Sequence, residues 1–196
     1  MTISAAQVKE LREKTGAGMM DCKRALEDAD GDVEKAIELL RKKGIAAAEK
    51  RAGRAVKQGL IDAYIHPGNR LGVLIEINCE TDFVAKNEEF GQFVRNMAMQ
   101  VAASNPRVVK REQLAQEEID KELEIYRGQA KEAGKPDQII DKIAQGKLEK
   151  FYQEVCLMEQ SFIRDPEKTV QDVLTDLRAK IGENIIVRRF QRFQIG

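Results

Sequence analysis

Tryptophan is absent, histidine occurs once, and the three cysteines stand far apart. The lone His66 cannot supply a nucleophile, a base and an orienting group by itself, and neither a nucleophile elbow nor an HExxH segment occurs. Hydrolase readings weaken accordingly. Cys22, Cys79 and Cys156 form no CxxC pair and share no zinc spacing with His66, so no metal site is expected and the thiols read as reduced, small core hydrophobes. No stretch approaches the roughly 18 apolar residues of a membrane span, and the first residues hold no apolar signal core. The cytoplasm is the expected location. Net charge is missing too: Lys plus Arg equals Asp plus Glu at 33 each, so the chain has no overall field to hold a polyanion. Stable nucleic-acid binding is therefore not expected.

The segment Gly128–Pro136 imitates a phosphate loop. It has five residues between its glycines instead of four, proline where Ser or Thr would meet magnesium, and no preceding strand. Acidic clusters lie on helix surfaces, where solvation accounts for them. No cofactor and no enzymatic activity are expected; a binding or regulatory protein leads.

What is present is a core of one or two domains' worth of chain, 34% charged and 5% aromatic, with much helix surface in water. Ser4 and Gln7 make a capping box, Ile3 can staple onto Val8, and Gly16 is placed to stop the first helix. Cys22, Ala25, Leu26 and Ala29 mark a second helix. Val33, Ala36, Ile37 and Leu40 mark a third, capped by Asp32 and ended by Gly44. Residues 1–44 thus form a small three-helix bundle. Met19 and Met20 stand together at a helix start, where neighbours diverge by about 100°, so at least one faces outward as an adaptable contact. Residues 45–57 read as a basic linker; the run 41–57 carries seven basic residues and one acidic one, with no interleaved aromatics.

Residues 58–196 read as an α+β domain. Leu60–Ile65 and Leu71–Ile77 form a hairpin whose turn carries His66. Phe90, Phe93, Val94, Met97, Ala98 and Val101 give the next helix an inner face over the sheet. Ile119, Leu123, Tyr126, Ala130 and Ala133 form a seam, and the return from Ile139 to Tyr152, with Gly146 as a break, completes a projecting helical hairpin over about 112–153. Short strands around Val155–Ile163, a helix over Thr169–Lys180 and a turn at Gly182, Glu183 and Asn184 lead to a last strand, Ile185–Phe193. Its arginines form a stripe, either a solvated sheet face or a phosphate grip.

The stretch Asn78–Phe90, NCETDFVAKNEEF, interrupts this regularity. Thr81 can cap a short turn and Asn87 a longer helix, which leaves Phe83 between two caps, flanked by Asp82 and Lys86. Either Phe83 is an exposed binding residue on a loop held by rigid elements, or it folds back as a plug beneath the sheet.

Three segments in this order, Leu11–Gly44, Asn78–Phe90 and Ile181–Phe190 (IGENIIVRRF), resemble bacterial translation elongation factor Ts nearly end to end. The resemblance implies a ubiquitin-associated-like bundle followed by an α+β core with a helical hairpin. It implies a guanine nucleotide exchange factor that binds elongation factor Tu, GDP-bound and nucleotide-free, without touching the nucleotide. Asp82 and Phe83, flanked by Thr81 and Val84, would enter the partner's nucleotide-binding domain and disturb its magnesium and phosphate sites. Met19, Met20 and Arg12 would touch another helix of that domain, and His66 the partner's third domain. Longer members resemble a core with two related subdomains, whereas this chain has one hairpin and final-strand set, so a homodimer through sheet edges or the C-terminal strand is expected. An RNA-binding accessory factor and a ubiquitin-like adaptor are the competing classes; the adaptor would leave most of the chain unexplained.

Overall fold

The computed structural model describes residues 3–51 and 53–196, so the first two residues of the expected bundle and Ala52 of the expected linker lie outside the described residues. The fold is α+β: three N-terminal helices, then an antiparallel sheet and further helices. The residues pack as two compact units. One comprises Met1–Leu60, Asn78–Gly91 and Asp172–Ile186; the other comprises Ile61–Ile77, Gln92–Gln171 and Val187–Gly196.

In the first unit, α1 (Ala5–Thr15), α2 (Met19–Asp28) and α3 (Val33–Arg51) enclose Val8, Leu11, Cys22, Ala25, Leu26, Ala29 and Ala36. The ends follow local chemistry. Ser4 and Gln7 form the reciprocal capping box, Ile3 packs on the cluster, and Gly16, at φ 67°, turns its N–H back onto the Arg12 carbonyl at 2.8 Å. Gly44 does not end α3. A single glycine costs a helix only about 1 kcal/mol relative to alanine, and here it serves a close approach. A Cβ on Gly44 would lie 3.1 Å from the Ala179 Cβ of α8 (Val170–Ile181), so the helices meet where the side chain is missing. The first part of the expected linker is consequently helical. Lys180 of α8 runs past Gly16 and pairs with Glu89, fixing α8 against both the α1 end and the segment after residue 78.

The sheet has the order β1 (Gln58–Ile65), β2 (Leu71–Cys79), β5 (Ile185–Gln194). In the second unit, the β1–β2 turn places Gly68 and Asn69 at positive φ, 95° and 54°, and closes with the His66 N–H on the Leu71 carbonyl at 2.9 Å. Val73, Ile75 and Ile77 are buried, while Ile61, Ala63 and Ile65 of β1 and Leu74 of β2 are exposed. Arg192 reaches the Ala102 carbonyl, and Arg189 pairs with Glu76. Of the stripe's two arginines, Arg192 therefore has a partner within the fold and Arg188 is exposed, while Arg189 lies on the other face of the strand.

Helix α5 (Glu88–Ser104) buries Phe90, Phe93, Val94, Met97, Ala98 and Val101 as the spacing predicts. Helices α6 (Gln116–Glu132) and α7 (Asp137–Val155) form the hairpin, packed through Ile119, Leu123 and Tyr126 against Leu148, Phe151 and Tyr152. Gly134, at φ 66°, turns the tip. Gly146 does not break α7, because its neighbours are good helix formers and nothing lies within 4 Å of its missing Cβ. Ala133, expected in the seam, is exposed. The strands expected around Val155–Ile163 shrink to β3 (Ser161–Phe162), paired with β4 (Asp165–Thr169). Val155 ends α7, and Leu157–Glu159 form a 3-10 turn. Here buried Gln100 and Gln160 decide the backbone path. Gln100 donates to Gln160, Ser104 and the Ser161 carbonyl and accepts from the Ile163 N–H, while Gln160 donates to the Ser104 and Glu154 carbonyls. Side-chain amides take over the bonds a ladder would otherwise make.

Candidate functional site: an exposed phenylalanine on a capped turn

Strand β2 ends at Cys79, and two residues later Thr81 begins a single helical turn, α4 (Asp82–Ala85). The Thr81 hydroxyl accepts from the Val84 N–H at 3.4 Å. Asn87 then caps α5 through the Glu89 and Phe90 N–H groups, at 2.8 and 3.4 Å. No residue of α4 is buried, and Phe83 is 83% exposed. The alternative of a plug beneath the sheet is excluded by that exposure. Val84 is half-buried beneath the turn, while Thr81 and Asp82 are exposed.

Electrostatics hold the turn from both ends. Lys86 donates to the Asp82 carboxylate at 2.9 Å, and this bond and charge hold Asp82 below the usual carboxylate range. At the other end, one oxygen of Glu183 accepts from the backbone N–H groups of Glu80 and Thr81, both at 3.1 Å; the other accepts the Thr81 hydroxyl at 2.6 Å. Glu80 returns the contact by accepting from the Asn184 N–H at 2.6 Å, and Arg54 lies 3.6 Å from its second oxygen. Beneath the turn, the buried Cys79 thiol donates to the Thr81 carbonyl, and burial together with the Glu183 charge pushes it up to about 11.

The same unit carries the bundle's expected contacts. Met19 and Met20 begin α2 after Gly18, are 44% and 60% exposed, and leave the core side of that helix to Cys22, Ala25 and Leu26. Both methionines therefore face solvent. Arg12 is exposed on the last turn of α1, its carbonyl bound by Gly16. His66 belongs to the other unit, exposed at the β1–β2 turn with Nδ1 3.0 Å from the Tyr64 hydroxyl. Seven of the eight expected contact residues thus share one unit: Arg12, Met19, Met20, Thr81, Asp82, Phe83 and Val84. Sequence reasoning missed Glu183, whose bonds span about a hundred residues of chain and leave no local signal.

The unit thus exposes an aromatic ring and two thioethers, and the carboxylates around the turn are already engaged in hydrogen bonds that hold it. Among the described residues, no His, Cys, Asp and Glu side chains gather into a metal-sized group, and no helix is long and apolar enough to cross a membrane.

A family model described as Elongation factor TS matches residues 4–196. The chain is 61% identical over 194 residues to elongation factor Ts of Caldanaerobacter subterraneus subsp. tengcongensis, covering 99% of this chain and 97% of that one. It is also 61% identical to elongation factor Ts of Carboxydothermus hydrogenoformans, covering 99% and 89%. Elongation factor Ts of Thermodesulfovibrio yellowstonii is 58% identical over 196 residues, covering 100% and 98%.

Proposed function

The chain belongs to the elongation factor Ts family, and from that premise we propose that it binds elongation factor Tu and promotes release of its GDP in the cytoplasm. The observation that carries the mechanism is Phe83, 83% exposed on a turn held at both ends. Burying such a ring in a partner is worth about 1.5 to 3 kcal/mol, and a well-seated aromatic anchor about 2 kcal/mol or more. That is enough to change an affinity by about tenfold to a hundredfold.

The exchange factor has no need of a catalytic residue or of contact with GDP. It binds nucleotide-free elongation factor Tu more tightly than the GDP-bound form, and linkage then weakens GDP by the same factor. Phe83, with Thr81, Asp82 and Val84 around it, enters the nucleotide-binding domain and disturbs the magnesium and phosphate site. Magnesium neutralises phosphate oxygens, so a displaced ligand loosens the nucleotide. Met19, Met20 and Arg12 of the ubiquitin-associated-like bundle dock on another helix of that domain, and His66 meets the partner's third domain.

The protein acts as a homodimer. Ile65, Leu74, Phe193 and Ile195 line an apolar groove of about 580 Å³ and are 49–66% exposed, an area of sheet that a second copy would cover. Light scattering giving twice 22.1 kDa supports this, and a single 22.1 kDa species counts against it.

The test is stopped-flow release of fluorescent GDP from elongation factor Tu, chased with unlabelled GDP, as the wild type or Phe83→Ala is titrated in. Acceleration by the wild type that falls in the variant supports the mechanism. Equal acceleration by both keeps exchange and removes the wedge. No acceleration by either removes the exchange reading and returns the RNA-binding and adaptor classes, the first recognisable by steep salt dependence in a gel shift.

A further inference from the structure

We infer that Glu183 is a positioning residue for Phe83, a clamp that sets the α4 turn before any partner arrives; this rests on the reading of Phe83 as the wedge. A single helical turn has no stability of its own, since isolated helices are marginal below about 12 to 15 residues. Packing holds it only in part, since Val84 and Ala85 are half-buried and no residue of the turn is fully buried. The rest of its geometry comes from its ends.

Glu183 supplies the first end. Its carboxylate takes three hydrogen bonds, from the Glu80 and Thr81 N–H groups and the Thr81 hydroxyl. The last of these matters most. With its proton committed to Glu183, the Thr81 oxygen turns a lone pair to the Val84 N–H and caps the turn that carries Phe83. Charge-assisted bonds of this kind are about twice as strong as neutral ones.

The clamp is itself built on rigid parts. Gly182, at φ 82°, donates to the Arg178 carbonyl at 2.9 Å, and the Arg178 guanidinium donates to the Ile185 carbonyl, bracketing Glu183 from either side. The return bond from the Asn184 N–H to Glu80 and the Asn184 side-chain bond to the Arg54 carbonyl at 2.9 Å make the link reciprocal. A pre-set turn lets Phe83 bind without first being ordered, which is the usual source of affinity from preorganisation. Loss of the clamp lowers the exchange rate without removing any group that meets the partner.

The experiment is a double-mutant cycle read by fluorescent GDP release from elongation factor Tu, with Glu183→Ala, Glu183→Gln, Phe83→Ala and the Glu183→Ala/Phe83→Ala double variant. Glu183→Ala should lower kcat/KM by about tenfold, the scale of one lost charge-assisted hydrogen bond. Glu183→Gln keeps only one of the two acceptor oxygens, so it loses either the Thr81 hydroxyl bond or the backbone pair together with the charge, and its rate should fall between those of the wild type and Glu183→Ala. In the Phe83→Ala background, Glu183→Ala should change the rate less than about twofold, because coupled residues are non-additive. An equal effect in both backgrounds overturns the positioning role.

Amide hydrogen exchange of the chain alone reads the clamp without the partner. Protection at Thr81 and Val84 should fall in Glu183→Ala, and unchanged protection overturns the clamp whatever Phe83 does. Phe83→Ala exchanging GDP as fast as wild type overturns the wedge instead. If Glu183→Ala does not fold, Glu183→Asp withdraws the carboxylate by about 1.5 Å and is put through the same cycle with the same criteria.

Discussion

Replacing Phe83 by alanine should separate binding from stability, because the ring contributes almost nothing to the fold that displays it. It is 83% exposed, on a turn with no buried residue. Surface substitutions of that kind change stability by about 0.5 kcal/mol or less. For a domain of about this size, 1 kcal/mol moves Tm by roughly 2 to 4 °C, so Phe83→Ala should shift Tm by less than about 2 °C. Phe90, seven positions on and 0% exposed, is the control. Its truncation should cost about 3 to 5 kcal/mol and lower Tm by roughly 6 to 20 °C. On binding the order reverses. Loss of a seated anchor worth about 2 kcal/mol should weaken affinity for nucleotide-free elongation factor Tu by about 30-fold. Scanning calorimetry of the two variants and titration calorimetry of Phe83→Ala with the nucleotide-free partner measure both halves. A large fall in Tm for Phe83→Ala would show that the ring packs inside, and an unchanged affinity would show that it meets nothing.

Gly146→Ala should raise stability by up to about 1 kcal/mol, since the position is helical and nothing lies within 4 Å of the new methyl group; Gly44→Ala should gain less or lose, because Ala179 stands 3.1 Å away. Thermal melts of the pair decide it, and equal gains would refute the close approach. Burial pushes the Cys79 and Cys156 thiols up to about 11, so neither should react with iodoacetamide at pH 8 until the chain is unfolded, a result mass spectrometry would read. Asp82 should titrate below an ordinary aspartate and move back up in Lys86→Ala, as followed by carboxyl NMR. Because its folded value is lowered, whatever stability it lends is present above the ordinary carboxylate range and is lost as the pH falls through that lowered value.

The elements that the sequence announced are those whose signals are local. Ser4, Thr81 and Asn87 cap by reaching two or three residues ahead and Gln7 by reaching three back, and each cap sits where its residue type implies. The inner face of α5 follows from 3- and 4-residue spacing. Gly44 and Gly146 misled because a glycine's helix penalty is smaller than what its neighbours supply, and because the reason for Gly44 lies on α8, far along the chain. The stretch after Val155 misled because Gln100 and Gln160 satisfy its backbone from a distance. The candidate site divided the same way. Its tip could be found from two caps around an aromatic, but the exposure of Phe83 was open on pattern alone, and Glu183 read only as part of a turn before the last strand.

The most direct measurement is the affinity of this protein for elongation factor Tu with no nucleotide and again with saturating GDP and magnesium, set beside the affinity of GDP with and without this protein. Exchange by linkage predicts weaker binding in the presence of GDP, by the same factor as this protein weakens GDP. Equal affinity for the two forms of elongation factor Tu would contradict it.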